Sequence, residues 1–213
     1  MEHYWIYIIV AIASLIKGFT GFGFALITLP LLINWYSPKE LIPVLILCNL
    51  FSSVIIVLQK KERKLVDKQF RTLIIYGAAY TLTGVALFKS ISEDLMITIL
   101  GILFIILSSI SLLGIKYNAR LTPLTFKIAG AFLGFLTGSV SISGPPLALF
   151  LNAAKVDNQQ FREIFSWFNI TTATIAIISY ITLDLLTLET LKITGLFLPI
   201  LYIGSFLGKR LNH

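Results

Sequence analysis

Long apolar runs separated by short polar clusters dominate the chain. Uncharged runs recur at 41–59, 72–88, 95–115, 164–183 and 193–208. A bilayer core about 30 Å thick needs about 20 apolar residues per helix, and each run is close to that length. None alternates with period two, so the pattern predicts membrane helices rather than barrel strands. Two further apolar segments, 4–17 and 124–137, are shorter. At about 14 residues each they would reach roughly 21 Å as helix, and they are not expected to span. Each leads into a glycine-rich stretch: GFTGFGFALITLP over 18–30 and GFLTGSVSISGPP over 134–146.

These stretches mark an internal repeat. At an offset of 116, Gly18-Phe19 falls on Gly134-Phe135 and Pro30-Leu31 on Pro146-Leu147; with four more residues in the second copy, Asn49-x-x-Ser52 falls on Asn169-x-x-Thr172. Each copy reads as a short segment, a glycine-rich break, a second short segment and then full helices, a pattern characteristic of transporters. The expected fold is therefore an all-α polytopic membrane protein. It forms a single membrane domain over 1–213, with repeat 1 at 1–116 and repeat 2 at 124–213. The broken segments 4–36 and 124–154 are hairpins that enter and leave on one side, or pairs of short tilted helices.

Composition agrees: 57% of residues are hydrophobic and 13% charged, with a mean hydropathy of +0.90. No soluble domain of this size keeps that balance. The net charge of +7 does not point to nucleic acid, because six of the basic residues (Lys60, Lys61, Arg63, Lys64, Lys68, Arg71) fall in one short loop between membrane helices, as cytoplasmic loops do. The N-terminal segment lacks a basic n-region and is read as retained rather than as a cleaved signal. The one cysteine, Cys48, allows no intramolecular disulfide and no cysteine metal site, and no cofactor or metal is expected.

Charge also orients the repeats. With Lys17 set aside as intramembrane, an inverted second copy collects 13 Lys and Arg inside and leaves Lys39, Lys89 and Lys192 outside; a parallel copy gives 10 inside and 6 outside. The excess of Lys and Arg on cytoplasmic loops favours inversion.

Unwound backbone at membrane depth survives only where it is buried in protein or lines a cavity. Two breaks entering from opposite faces would meet near the midplane, their following helices aiming positive dipole ends at a shared space. That space favours an anion. The candidate site is Lys17, Thr20, Gly21, Gly23 and Asn49 from the first copy and Thr137, Ser139, Ser141, Ser143, Gly144, Pro145 and Asn169 from the second. Lysine and hydroxyl groups donate to anionic oxygens, glycine permits the turn, and Pro145 suits a first helical turn. No Asp or Glu is expected deep in any segment, so proton coupling through an embedded carboxylate is not expected either.

Simpler roles compete. Gly130, Gly134 and Gly138 form a G-x-x-x-G row that serves close helix packing in any membrane protein. Lys17 could snorkel to an interface. The Asn49/Ser52 and Asn169/Thr172 pairs, each on one helix face, could simply join helices.

The motifs GFTGFGFALITLPLL, GSVSISGPPLALFL, GAAYTLTGVALF and YIGSFLGKRL resemble those of the TauE/SafE family of membrane permeases, the sulfite exporter family, across most of the chain. That resemblance implies transport of a small sulfur oxyanion or sulfonate across the cell membrane. In the first copy the GAAYTLTGVALF helix is followed by another at 95–115, whereas its second-copy counterpart ends at GKRLNH. The repeat is thus read as lacking its last helix, as a shortened member or as a homo-oligomer in which a neighbour supplies that surface. The alternative function is a non-transporting scaffold or subunit of a larger membrane assembly. An intramembrane serine hydrolase, prompted by GSVSISG, would need a base near its serine, and the only histidines, His3 and His213, are terminal.

Overall fold

The computed structural model describes residues 3–58, 67–113 and 121–211. The basic residues Lys60, Lys61, Arg63 and Lys64 of the first loop and Lys116 and Arg120 of the second lie outside that set. Among the described residues every element is an α-helix: α1 (His3–Thr20), α2 (Phe24–Leu32), α3 (Pro38–Leu58), α4 (Lys68–Ser90), α5 (Glu93–Leu112), α6 (Pro123–Val140), α7 (Gly144–Ala153), α8 (Asn158–Thr182) and α9 (Leu188–Arg210). Six of them (α3, α4, α5, α6, α8 and α9) are long and apolar enough to cross a membrane.

Hydropathy placed several helix starts late, because capping residues and first turns are polar. Ser37 and Glu40 exchange bonds at the start of α3: the Glu40 N–H donates to Ser37 Oγ at 3.3 Å and the Ser37 N–H to Glu40 Oε2 at 3.2 Å, a capping box. Thr122, Asp157 and Thr187 accept from the N–H groups of Thr125, Gln160 and Thr190 to open α6, α8 and α9. Lys68 and Arg71, read as loop, belong to α4. The two short segments are also longer than expected: α1 and α6 each have 18 residues, about 27 Å, so α6 is of spanning length.

The helix starts in the first half recur in the second with one spacing. Those at 3, 24, 38 and 68 are followed by 123, 144, 158 and 188, each 120 residues later. This corrects the 116-residue register at the tips: the structural counterpart of Gly21 is Ser141, and of Lys17, Thr137. At both places the helix ends alike, with the Gly21 N–H donating to the Lys17 carbonyl and the Ser141 N–H to the Thr137 carbonyl.

Pairing crosses between the halves. The row Gly130, Gly134, Gly138 on α6 lies against the backbone of Leu73, Gly77 and Thr81 on α4; both sets rise by four, so the two helices run the same way. On α1, Gly18 lies against Ser205, while Gly204 and Gly208 of α9 meet Ser14 and Leu15, another co-directional pair. The G-x-x-x-G row is therefore a packing surface, as its simpler reading held.

The helix ends sort into two sets. Ser37 at the start of α3, Lys89 at the end of α4, Glu93 at the start of α5, Asp184 after α8 and Thr187 before α9 line one depression. Val57 at the end of α3, Phe161 near the start of α8 and Lys209 at the end of α9 line another, and Gln160 Nε2 donates to Asp67 Oδ2 at 2.9 Å, joining the starts of α8 and α4. Helices α3, α5 and α9 thus run one way and α4 and α8 the other.

The larger core cluster has Val10, Phe24, Leu29, Leu41, Ile42 and Tyr180 among its buried members; a second gathers around Phe126, Phe150, Ile164 and Phe168. Tyr180, fully buried, donates its hydroxyl to the Gly138 carbonyl at 2.8 Å. That carbonyl is one of the last four of α6, which have no partner within the helix. Tyr180→Phe is expected to lower stability by about 1 kcal/mol, read as a lower thermal midpoint in detergent; an unchanged midpoint would contradict this role.

Candidate functional site

The first break is made by glycine because its backbone demands it. Gly21 and Gly23 have φ of 89° and 97°, the left-handed region that L side chains avoid. The second break uses Ser141 at φ 59° in the equivalent place. The breaks are therefore Gly21–Gly23 and Ser141–Ser143, narrower than the glycine-rich stretches suggest. Thr20, Thr137 and Ser139 lie on the preceding helices. The breaks also meet: a side-chain carbon on Gly144 would sit 3.5 Å from Phe22 Cβ, and the Phe22 and Phe165 rings are 5.7 Å apart.

Lys17 is only 4% exposed. Its ammonium donates to Asn49 Oδ1 at 2.6 Å and lies 5.7 Å from the centre of the Phe24 ring. The Asn49 amide in turn donates to Ser141 Oγ at 3.4 Å. One asparagine, at the middle of α3, thereby ties the cation of the first copy to the break of the second. Lys17 is not a snorkelling residue, since its charged end points to the centre of α3 and not to a helix end.

The hydroxyls differ in what they have left to offer, because each carries a single proton. Ser139 donates to the Phe135 carbonyl at 2.7 Å. Thr20, an exposed residue, lies 2.8 Å from the Ile16 carbonyl and 2.7 Å from that of Phe22, and pins the first break. Thr137 Oγ1 is 2.9 Å from the Leu133 carbonyl and 2.8 Å from Ser143 Oγ, a row that closes the second break on itself. Ser141, an acceptor from Asn49, retains its own proton. Asn169, half-buried and 120 residues after Asn49, makes no side-chain hydrogen bond among the described residues. Pro145 sits in the first turn of α7, where a missing N–H costs nothing, and neither α7 nor α2 has a side-chain cap on its first N–H groups.

Sequence reasoning missed a carboxylate. Glu163, in the second turn of α8, is only 6% exposed. The uncharged run begins at 164, but the helix begins at Asn158, so Glu163 lies within the helix near its start, covered by protein rather than deep in the segment. It lines a cavity of about 140 Å³ together with Lys17, Gly21, Ser52, Arg162 and Lys209. That space is large enough to admit water or a small oxyanion. No group of metal-ligating side chains occurs among the described residues.

Searches of curated proteins and of solved structures return no match to the chain. The family model described as Sulfite exporter TauE/SafE matches residues 6–213, nearly everything the structure describes. That family comprises membrane transporters for sulfur anions, not enzymes. The match covers nearly the whole chain and the bundle has six helices of spanning length, so this multi-pass membrane protein belongs to the TauE/SafE sulfite exporter family.

Proposed function

We propose that the protein is a permease for a small sulfur oxyanion, sulfite or a sulfonate, bound between the two breaks. The observation that carries this is the Lys17–Asn49–Ser141 chain: a buried cation held at the junction of the breaks and lining a cavity. A buried charge without a partner of opposite sign is costly, and an anion bound there would offset that cost. The uncapped starts of α2 and α7 add positive dipole ends. Asn169 and the Ser141 proton are unspent polar groups that such an anion could use. Ser141 accepts from an amide and Ser143 neighbours a threonine hydroxyl; neither faces a base, which supports transport over hydrolysis.

The two halves are read as inverted repeats, each a broken hairpin followed by full helices, within one domain. The uniform 120-residue spacing supports the repeat. The opposite directions of α3 and α8, equivalent helices, support the inversion. Because α1 runs with α9 and α3, the chain must return along α2 before α3 starts, which supports the hairpin. Cysteine labelling in intact cells tests this arrangement in a Cys48→Ala background. Arg210→Cys is expected to react only from the cytoplasmic side and Asp184→Cys only from outside; the reverse for either sinks the inverted topology.

Proteoliposomes holding the full chain are expected to take up labelled sulfite or a small sulfonate faster than empty liposomes. Equal rates for every such anion would favour the non-transporting scaffold.

A further inference from the structure

The cavity beneath the breaks extends from Lys17 to the end of α9, between α1, α3, α8 and α9. Its lining carries three cations, Lys17, Arg162 and Lys209, and one carboxylate, Glu163, a formal surplus of two positive charges. Hydroxyls of Ser52 and Ser166 share the wall, and the buried Ser205 hydroxyl there has no hydrogen-bond partner among the described residues. The depression at the opposite ends of the helices is lined instead by Lys39 and Lys89 with Glu40, Glu93 and Asp184, a surplus of one negative charge. The two depressions thus differ in the sign of their lining charge. Lys17 and Glu163 are buried, Arg162 is half-buried and Lys209 is exposed; buried charges act through a lower dielectric and are screened little by salt, so Glu163, and Arg162 less strongly, affect an anion standing beside Lys17.

We infer that this cavity is the anion's vestibule and that Glu163 tunes its charge selectivity, lowering the preference for dianions over monoanions. The inference rests on the transport reading above and adds residues outside the breaks. Its physical content is simple. The cations attract an anion in proportion to its charge, and Glu163 repels it in the same proportion. Without Glu163, the cavity would gain one unit of attraction for a monoanion and two for a dianion, and the cavity would hold doubly charged ions preferentially. With it, the dianion's advantage is cut back.

Because affinity depends exponentially on energy, changing one fixed charge should alter dianion affinity by the square of the factor seen for a monoanion. Binding of methanesulfonate and of sulfate to the purified full chain in lipid nanodiscs, at one neutral pH and constant ionic strength, reads this directly. Glu163→Gln is expected to tighten both ions, sulfate by the square of the methanesulfonate factor. Arg162→Gln is expected to weaken both with the same relation, and it carries the test should Glu163→Gln not yield folded protein. Glu163→Asp, which keeps the charge, should hold the parent's ratio of the two affinities. Equal factors for the two ions, or no change in either, overturn the inference. If Lys17→Met weakens both ions while Glu163→Gln and Arg162→Gln leave them unchanged, the vestibule fails and the site at the breaks stands. If the parent binds neither ion, both readings fail together.

Discussion

Gly134→Leu should leave little folded protein to purify. A side-chain carbon at this position would overlap the Gly77 carbonyl oxygen, with the Gly77 Cα 2.7 Å away. These are backbone atoms, so no rotamer change can relieve the contact. The helices must move apart, which also separates Gly130 from Leu73 and Gly138 from Thr81. Overpacking ordinarily costs about 1–3 kcal/mol; here the loss of a whole close interface puts the effect at or above the upper figure, roughly a hundredfold in the folded-to-unfolded ratio. Gly195→Leu provides the contrast, since nothing lies within 4 Å of the carbon it would add; its effect should stay within about 0.5 kcal/mol. The measure is the yield of monodisperse protein in detergent and its thermal midpoint. Comparable behaviour of the two variants would mean that α4 and α6 do not pack as described.

Lys17→Met should weaken binding of sulfite or a small sulfonate by about thirtyfold or more. Removing one partner of a buried charge pair commonly costs about 2–5 kcal/mol, and each 1.4 kcal/mol is about a factor of ten. Ser141→Ala, which removes one hydroxyl and its contact with Asn49, should cost about 1 kcal/mol, and Thr20→Val less, because the Thr20 hydroxyl is already committed to the Ile16 and Phe22 carbonyls. Folding should survive Lys17→Met, since the change takes a charge out of the interior and leaves one asparagine oxygen without its donor. Direct binding to purified protein is the readout. Parent-like affinity in Lys17→Met alongside a loss in Ser141→Ala would shift the site onto the second break alone; parent-like affinity in both would remove the site from the breaks altogether.

The helices were largely legible because a bilayer-length apolar run leaves few alternatives. Their starts were less so: a hydropathy window stops at Lys68, Arg71 or Glu163, whereas the helix continues through them to a cap such as Asp157, whose bond to the Gln160 N–H is a local signal. The S-P-K-E run at 37–40 carried the same information for α3. The breaks could be found from their glycines, but not their register, because the two copies solve one backbone problem with different residues, Gly21 in the first and Ser141 in the second. The candidate site named Lys17, Asn49 and Ser141 without linking them, since contacts across 32 and 92 residues leave no periodic trace. The committed hydroxyls of Thr20 and Ser139 were illegible for the opposite reason: a helix captures such groups locally, and sequence alone does not tell a captured hydroxyl from a free one.

The crossed pairing has a consequence for how the molecule is made. Helix α1 leaves the ribosome long before α9, yet the surface that covers its Ser14 and Gly18 belongs to α9. The contact joins residues about 190 apart, so α1 waits in the membrane with its close-packing face bare until α9 is made, and α4 waits for α6 over a shorter interval. Long-range closure of this kind is slow, and an uncovered small-residue face is open to wrong helical partners meanwhile. Neither half is a self-sufficient folding unit: each holds two helices whose closest neighbours the other half must deliver.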